Sequence, residues 1–171
     1  KAVPVALRST IDRVTKMTAN EFRHRAKLRV ECPEGVRIMG NEGRILQVLI
    51  NLLTNAAHAI EPGSQEANTV KISVYERDSR VELEVADSGG GIDPEIADRI
   101  FEPFFTTKSV GFGMGMGLSI TRNIIHALGG TIELKYSSPE GSSFVISLDS
   151  AEAENPVPEV EAGDGAPGVV V

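Results

Sequence analysis

Tryptophan is absent from these 171 residues, cysteine occurs once, and aromatic residues make up only 5% of the chain. A single thiol, Cys32, excludes a disulfide framework and a cysteine-based zinc site, and it suits a reducing compartment such as the cytoplasm. The basic excess within the first 44 residues, ten Lys and Arg against five acids, lacks the aromatic interleaving of a nucleic-acid arm and reads as a solvated helix face. No nucleic-acid partner is therefore expected. No apolar run reaches the ~20 residues of a membrane span, and no signal-peptide pattern is visible, so no direct membrane contact is expected of this piece. Lys and Arg are also missing from the last 23 residues, which hold six of the 24 acids. The net charge of −7 thus belongs to the tail, and residues 1–148 come to −1. Residues 149–171, rich in Pro, Gly, Ala and Glu without a period, are expected to form an acidic disordered linker. It ends in Val169-Val170-Val171, a strand-like run suited to a following domain. With Lys1 at its start, the chain is expected to be a piece of a longer protein. Residues 1–148 are enough for one ordinary domain with a real core.

Glycine, by contrast, is plentiful, and seven of the 17 glycines fall between Val85 and Ile120. Gly89, Gly90 and Gly91 follow a predicted strand; Gly111, Gly113, Gly115 and Gly117 run into a predicted helix. Glycine lets backbone N–H groups approach a ligand closely, at an entropic cost that ordinary loops avoid. With the carboxylate of Asp87 just ahead of the first cluster, the pattern suggests a nucleotide site, with an acceptor for a base and loose backbone for phosphates. Flexible linkers would not need the apolar residues of Gly113-Met114-Gly115-Met116-Gly117-Leu118.

Helical spacing is predicted from Val5 to about Phe22, with Pro4 in the first turn. Short strands around Leu28–Glu31 and Val36–Ile38 flank a Pro33-Glu34-Gly35 turn. Asn41 is placed to cap a helix reaching about Ile60. That helix is apolar around most of its circumference, but Gln47, Asn51, Asn55 and His58 form one polar stripe along it. Burying such amides without partners costs about 1–3 kcal/mol each, so the stripe must meet internal hydrogen-bonding partners or a polar ligand. A hairpin follows, Val70–Arg77 and Val81–Ala86 about Asp78-Ser79, then a short helix from Asp93-Pro94 to Phe101. A helix from Met116 to Leu128 ends at Gly129-Gly130, and a last hairpin joins Thr131–Ser137 to Ser143–Leu148. The class is α+β: a two-layer sandwich of a mixed, mainly antiparallel sheet with helices on one face.

In order, these stretches resemble the catalytic, ATP-binding domain of two-component sensor histidine kinases, within the gyrase–chaperone–kinase–mismatch-repair ATPase superfamily. Gln47-Val48-Leu49-Ile50-Asn51-Leu52-Leu53-Thr54-Asn55-Ala56 looks like the N box. Asp87-Ser88-Gly89-Gly90-Gly91-Ile92 matches the first glycine box, Phe101-Glu102-Pro103-Phe104-Phe105-Thr106-Thr107-Lys108 the F box, and Gly113 to Ser119 the second glycine box. Four motifs in order, over about residues 1–148, are far more specific than one glycine motif alone.

The resemblance implies ATP and Mg²⁺ as cofactors. Asp87 would accept from the adenine amino group, Gly89 and Gly91 would let the base lie against the backbone, and Ile92 and Leu118 would wall its pocket. Ser142, or else its neighbour Ser143, would supply a supporting hydroxyl. Asn55 would bind the metal, with Asn51 beside it and His58 and Ala59 at the end of the same helix. The lid would run from Thr106 through Thr107, Lys108, Gly111, Gly113, Gly115 and Met116 to Gly117, its N–H groups meeting the phosphates. Lys108 would join Asn55 in the catalytic role, while Phe101, Phe104 and Phe105 would pack and anchor the lid. Bland alternatives stand beside these: a strand-end cap for Asp87, a solvated Lys108, a helix-satisfied His58, and a structural His126 amid Ile124, Ile125 and Leu128.

Two departures carry information. Asn41 stands where the family commonly has Asp, and a capping role is expected to survive. Asn51 stands where hydrolytic members carry a glutamate base, so bulk hydrolysis should be slow and the γ-phosphoryl should await a protein nucleophile. None of His24, His58 and His126 is followed by an acid as the phosphoacceptor is. The acceptor is expected on a dimerisation domain outside this chain, making a homodimer, with relay to the aspartate of a response regulator. A degenerate nucleotide-binding module, or a serine kinase of the anti-sigma type, is the alternative.

Overall fold

The computed structural model describes residues 2–105 and 117–151. The first residue of the helix expected from Met116, the lid residues 106–116 and most of the tail lie outside them.

The chain opens not in a helix but in a strand, β1 (Val3–Ala6), so Pro4 occupies a strand position. Here β1 pairs antiparallel with β3 (Arg37–Gly40) as a separate two-stranded sheet. Helix α1 (Leu7–Met17) follows directly and buries Leu7, Ile11 and Val14 from one face, and α2 (Ala19–Phe22) is a single turn. Next, β2 (Lys27–Glu31) does not form a hairpin with β3, as the Pro33-Glu34-Gly35 turn suggested. It pairs parallel with β4 (Thr69–Arg77) instead. The physical reason is register by burial: Val36 and Ile38 are buried, whereas Val30 and its neighbours Arg29 and Glu31 are exposed. The two strands therefore answer to different parts of the core.

Helix α3 (Glu42–His58) starts as the sequence indicates: the Asn41 side chain accepts from the Arg44 N–H at 3.1 Å. The neutral amide thus does the capping work expected of the acid, without its charge. Ile45, Val48, Leu49, Leu52, Leu53, Ala56 and Ala57 are buried against the sheet, each large aliphatic contributing on the order of 1.5–3 kcal/mol. At its far end the Arg25 guanidinium donates to the Ile60 carbonyl at 2.8 Å, a cation at the negative end of the helix dipole.

The main sheet has the order β2-β4-β5-β7-β6, all antiparallel except β2 with β4. Strand β5 (Arg80–Asp87) returns from β4 through a two-residue turn at Asp78-Ser79. Helix α4 is described from Gly117 to Ala127, and β6 (Thr131–Ser138) and β7 (Gly141–Asp149) complete the sheet. Val81, Leu83, Val85, Phe144, Ile146 and Leu148 all turn one way into the core shared with α3, and the helices lie on this one face. This is the α+β sandwich the sequence indicates. Between β5 and α4 the expected short helix shrinks to a 3₁₀ turn at Ala97–Arg99, with Asp93 Oδ1 accepting from the Glu95 N–H in a local turn. Strand β7 runs through Asp149, and Ser150 then bridges to Ile38 of the small sheet, two residues past residue 148. No helix among the described residues is long and apolar enough to cross a membrane.

Candidate functional site

Asp87 is the last residue of β5, and strand alternation past buried Val81, Leu83 and Val85 fixes where it ends. Its Oδ1 accepts the Gly89 N–H at 2.8 Å, and its Oδ2 accepts the Ser142 hydroxyl at 3.0 Å. Ser142 lies directly across from it on β7. Ser142, not Ser143, is the hydroxyl that meets Asp87, because Ser143 turns to the other face and donates to Glu84. Burial pushes the Asp87 carboxyl above the ordinary aspartate range, and hydrogen bonds from Gly89 and Ser142 oppose the shift only in part. A carboxylate held half out of water, oriented by two donors and still offering lone pairs, is built to accept one more hydrogen bond.

The backbone after Asp87 is shaped by contacts that admit only glycine. A Cβ at Gly89 would lie 2.5 Å from the Ala59 carbonyl at the end of α3. At Gly91, with φ +77°, it would lie 2.0 Å from the Ser138 carbonyl. Gly89 is therefore pressed between α3 and the loop, and Gly91 against the β6–β7 hairpin. Ile92 and Leu118 are half-buried against the core.

The polar stripe of α3 divides. Asn51 Nδ2 donates weakly, at 3.4 Å each, to the Gly117 carbonyl and to Thr121 Oγ1 in the first turn of α4. The Asn55 amide lies beside Gly117, its Nδ2 3.8 Å from where a Cβ there would stand. Both amides therefore face the start of α4. His58 does not join them: its Nε2 lies 2.9 Å from Glu21 Oε2 of α2. Ala59 takes part through its backbone, against Gly89. Gln47, at the other end, accepts from Arg44 at 3.4 Å. His126 is exposed rather than buried among Ile124 and Ile125, because it falls on the outer side of α4.

Phe101 packs edge-on against Phe144 with centroids 6.1 Å apart, and the Arg99 guanidinium lies 4.7 Å over the Phe105 ring. These two rings anchor the segment as expected. Phe104 does not, being 72% exposed with φ 64°. Its left-handed backbone turns the ring away from the core its two neighbours reach. Thr106, Thr107, Lys108, Gly111, Gly113, Gly115 and Met116 lie outside the described residues.

Among the described residues no group of three His, Cys, Asp or Glu side chains could hold a metal ion. The donor set here is neutral amides, which fits Mg²⁺ carried in on phosphate oxygens rather than caged by protein carboxylates.

Two residues of the site escape the sequence reading. Gly141, with φ +147°, lets the hairpin lie against the end of β5, where a Cβ would stand 2.0 Å from the Asp87 carbonyl oxygen. Ser137 accepts from the Ile92 N–H at 2.6 Å and donates to the Ile92 carbonyl at 3.3 Å. For Ser142 a signal did exist, since it shares parity with buried Phe144, Ile146 and Leu148 and so heads the core-facing column of β7. For Ser137 parity misleads. A bulge at Lys135, between Leu134 and Tyr136, turns the following residues over.

Residues 40–152 match the family described as histidine kinase-, DNA gyrase B-, and HSP90-like ATPase. The C4-dicarboxylate transport sensor protein DctB of Rhizobium meliloti is 36% identical over 152 residues, covering 88% of this chain and 24% of that protein. The chain spans about a quarter or less of the length of the curated relatives it matches. Among solved structures, the mycobacterial sensor histidine kinase MprB superposes with a TM-score of 0.76 at 26% identity, over 86% of this chain and 98% of that one. The histidine kinase ThkA, solved in complex with the response regulator protein TrrA, gives a TM-score of 0.71 at 29% identity, over 90% of this chain and 43% of that one.

Proposed function

The chain belongs to the family of histidine kinase-, DNA gyrase B- and HSP90-like ATPases, and on that premise we propose that it loads Mg-ATP for a protein-histidine kinase. The γ-phosphoryl would go to a histidine on a dimerisation domain of the same protein, in a homodimer, and from there to an aspartate of a response regulator. The observation that carries the reading is the Asp87 carboxylate, oriented by Gly89 and Ser142 at the open end of β5. An acceptor of that kind selects a base with an exocyclic amino group. The relatives' names as sensor kinases, and the solved pairing of ThkA with a response regulator, support the signalling context; a cytoplasmic place for this domain is part of the proposal.

In the proposed mechanism Asp87 and the loop through Ile92 hold the base, and α3 presents Asn55 toward the phosphates at the start of α4. Lys108, with the rest of the residues 106–116, is assigned to the triphosphate by the family motif. Asn55 would hold Mg²⁺, which would supply positive charge to offset the negative charge developing on the transferred group. Asn51 has no basic oxygen able to take a proton from water, so hydrolysis is disfavoured relative to transfer to an imidazole nitrogen. That attack breaks the bond between the γ-phosphorus and the bridging oxygen, leaving ADP.

Calorimetric titration of the chain with ATP tests this directly. ATP should bind, more tightly with Mg²⁺ than with a chelator present, and no measurable heat in either condition would sink the proposal. Asn55→Ala should erase the Mg²⁺-dependent increment, by about tenfold or more, while the chelator-condition affinity stays close to the parent's. The chain alone should acquire no acid-labile label from γ-labelled ATP. His24 and His126 are exposed without an adjoining acid in sequence, and His58 is engaged with Glu21. Label on any of the three would refute the assignment of the acceptor to another domain.

A further inference from the structure

Ser137 and Ser142 face each other across the β6–β7 hairpin as direct register partners. Cross-strand partners place their Cβ atoms ~5 Å apart on one face of a sheet. Ser142 grips Asp87, where the first glycine loop begins, and Ser137 grips Ile92, where it ends. The grip at Ile92 is two-point, because one hydroxyl accepts from the backbone N–H and donates to the carbonyl of the same residue. Between the two hydroxyls the loop is pressed onto the hairpin backbone, with Gly91 over the Ser138 carbonyl and Gly141 over the Asp87 carbonyl. At its start the loop is also tied to β4, since the Ser88 N–H donates to the Thr69 carbonyl at 3.1 Å and Ser88 Oγ accepts from the Thr69 N–H at 2.9 Å, whereas at its far end the side-chain grip on Ile92 is that of Ser137. The distance between its ends is fixed by the hairpin.

We infer that Ser137 is a positioning residue for base recognition: by clamping Ile92 it fixes the loop so that the Asp87 carboxylate meets an amino group on the base. This rests on the proposed nucleotide function and assigns to it a residue outside the glycine box. Ser137 need not touch the nucleotide. Its effect passes through Ile92, whose side chain walls the pocket, and through the span back to Asp87. Loss of the hydroxyl leaves the Ile92 N–H without its partner and lets that end of the loop ride up.

The test compares ATP with inosine triphosphate, which has a carbonyl where adenine has its amino group. The parent chain should prefer ATP. A parent that binds neither, or both equally, would defeat the nucleotide reading itself and is distinguishable from failure of the inference. In Ser137→Ala, ATP affinity should fall by about tenfold while inosine triphosphate affinity changes little, so the ratio contracts by about the same factor. A merely structural serine would lower both affinities together or neither. If Ser137→Ala shows no cooperative melt, Ser137→Thr and Ser137→Val make the same comparison, since they are nearly isosteric and differ by the hydroxyl alone. The ratio should survive in Thr and contract in Val. A parent-like ratio in Ser137→Ala, or equal ratios in Thr and Val, would overturn the inference.

Discussion

Asp87→Asn should lower ATP affinity by about a hundredfold or more while leaving the chain folded. The size follows from the hydrogen bonds already present. An asparagine can keep its Oδ1 on the Gly89 N–H and turn its Nδ2 toward the Ser142 hydroxyl, which then acts as acceptor. The remaining N–H of that amide points where the base amino group should arrive, donor against donor. Losing a hydrogen bond to a charged acceptor removes about 1.5–3 kcal/mol, or roughly one to two powers of ten, and the opposed donors add to it. Stability should move the other way or not at all. Burial raises the Asp87 pKa in the folded state above its unfolded value, so over the interval between the two the folded state binds more protons. Stability therefore falls as pH rises through that interval, and the penalty is fully present above the folded pKa. At neutral pH the amide escapes it, and thermal melting should show Asp87→Asn unfolding no lower than the parent. For the parent, ATP affinity should decline on acidification from a higher pH than an ordinary aspartate would give, because the protonated carboxyl has lost much of its acceptor strength. A variant that binds ATP like the parent would remove Asp87 from the site.

Gly91→Ala should be nearly as damaging, through geometry rather than charge. Its φ of +77° is strained for any residue with a Cβ, by about 1–2 kcal/mol. The added carbon would stand 2.0 Å from the Ser138 carbonyl and 3.2 Å from Ser137 Oγ. The carbonyl belongs to a paired strand, so the loop must lift and the Ile92 clamp must open. Thermal melting should drop by several degrees, and titration should show ATP affinity reduced at least tenfold. Gly90→Ala is the control, because a Cβ there meets nothing within 4 Å. It should match the parent in both measurements, and similar losses in the two variants would deny the hairpin any special part in holding the loop.

What was legible in the sequence, and what was not, divides along physical lines. Local signals held: the Asn41 cap and the two-residue turn at Asp78-Ser79 act within a few residues, and the alternation read over Val81–Ala86 runs one residue further, to Asp87. Pairing partners were less readable. The strand at Lys27–Glu31 joins Thr69–Arg77, 42 residues on in register, and no local feature announces a parallel partner. Pro4 misled because its fixed φ suits a helix's first turn and an edge strand alike. His58 belonged to the polar stripe by spacing alone. Only the fold brings Glu21 within reach of it. The fate of Phe104 turned on one positive φ, which composition does not reveal for a non-glycine residue.

The bulge at Lys135 divides β6 between two masters. Before it, Ile132 and Leu134 obey the core; after it, Ser137 faces the loop, and a regular strand would have presented Tyr136 there instead. A descendant of this chain that lost one residue after Ser137 and paired without the bulge would keep its sheet and its hydrophobic interior, yet set a phenol ring where the hydroxyl had been. When such chains are compared, the number of residues between Leu134 and Gly141 is itself a functional character, and a single-residue gap there separates lineages that an identity score would group together.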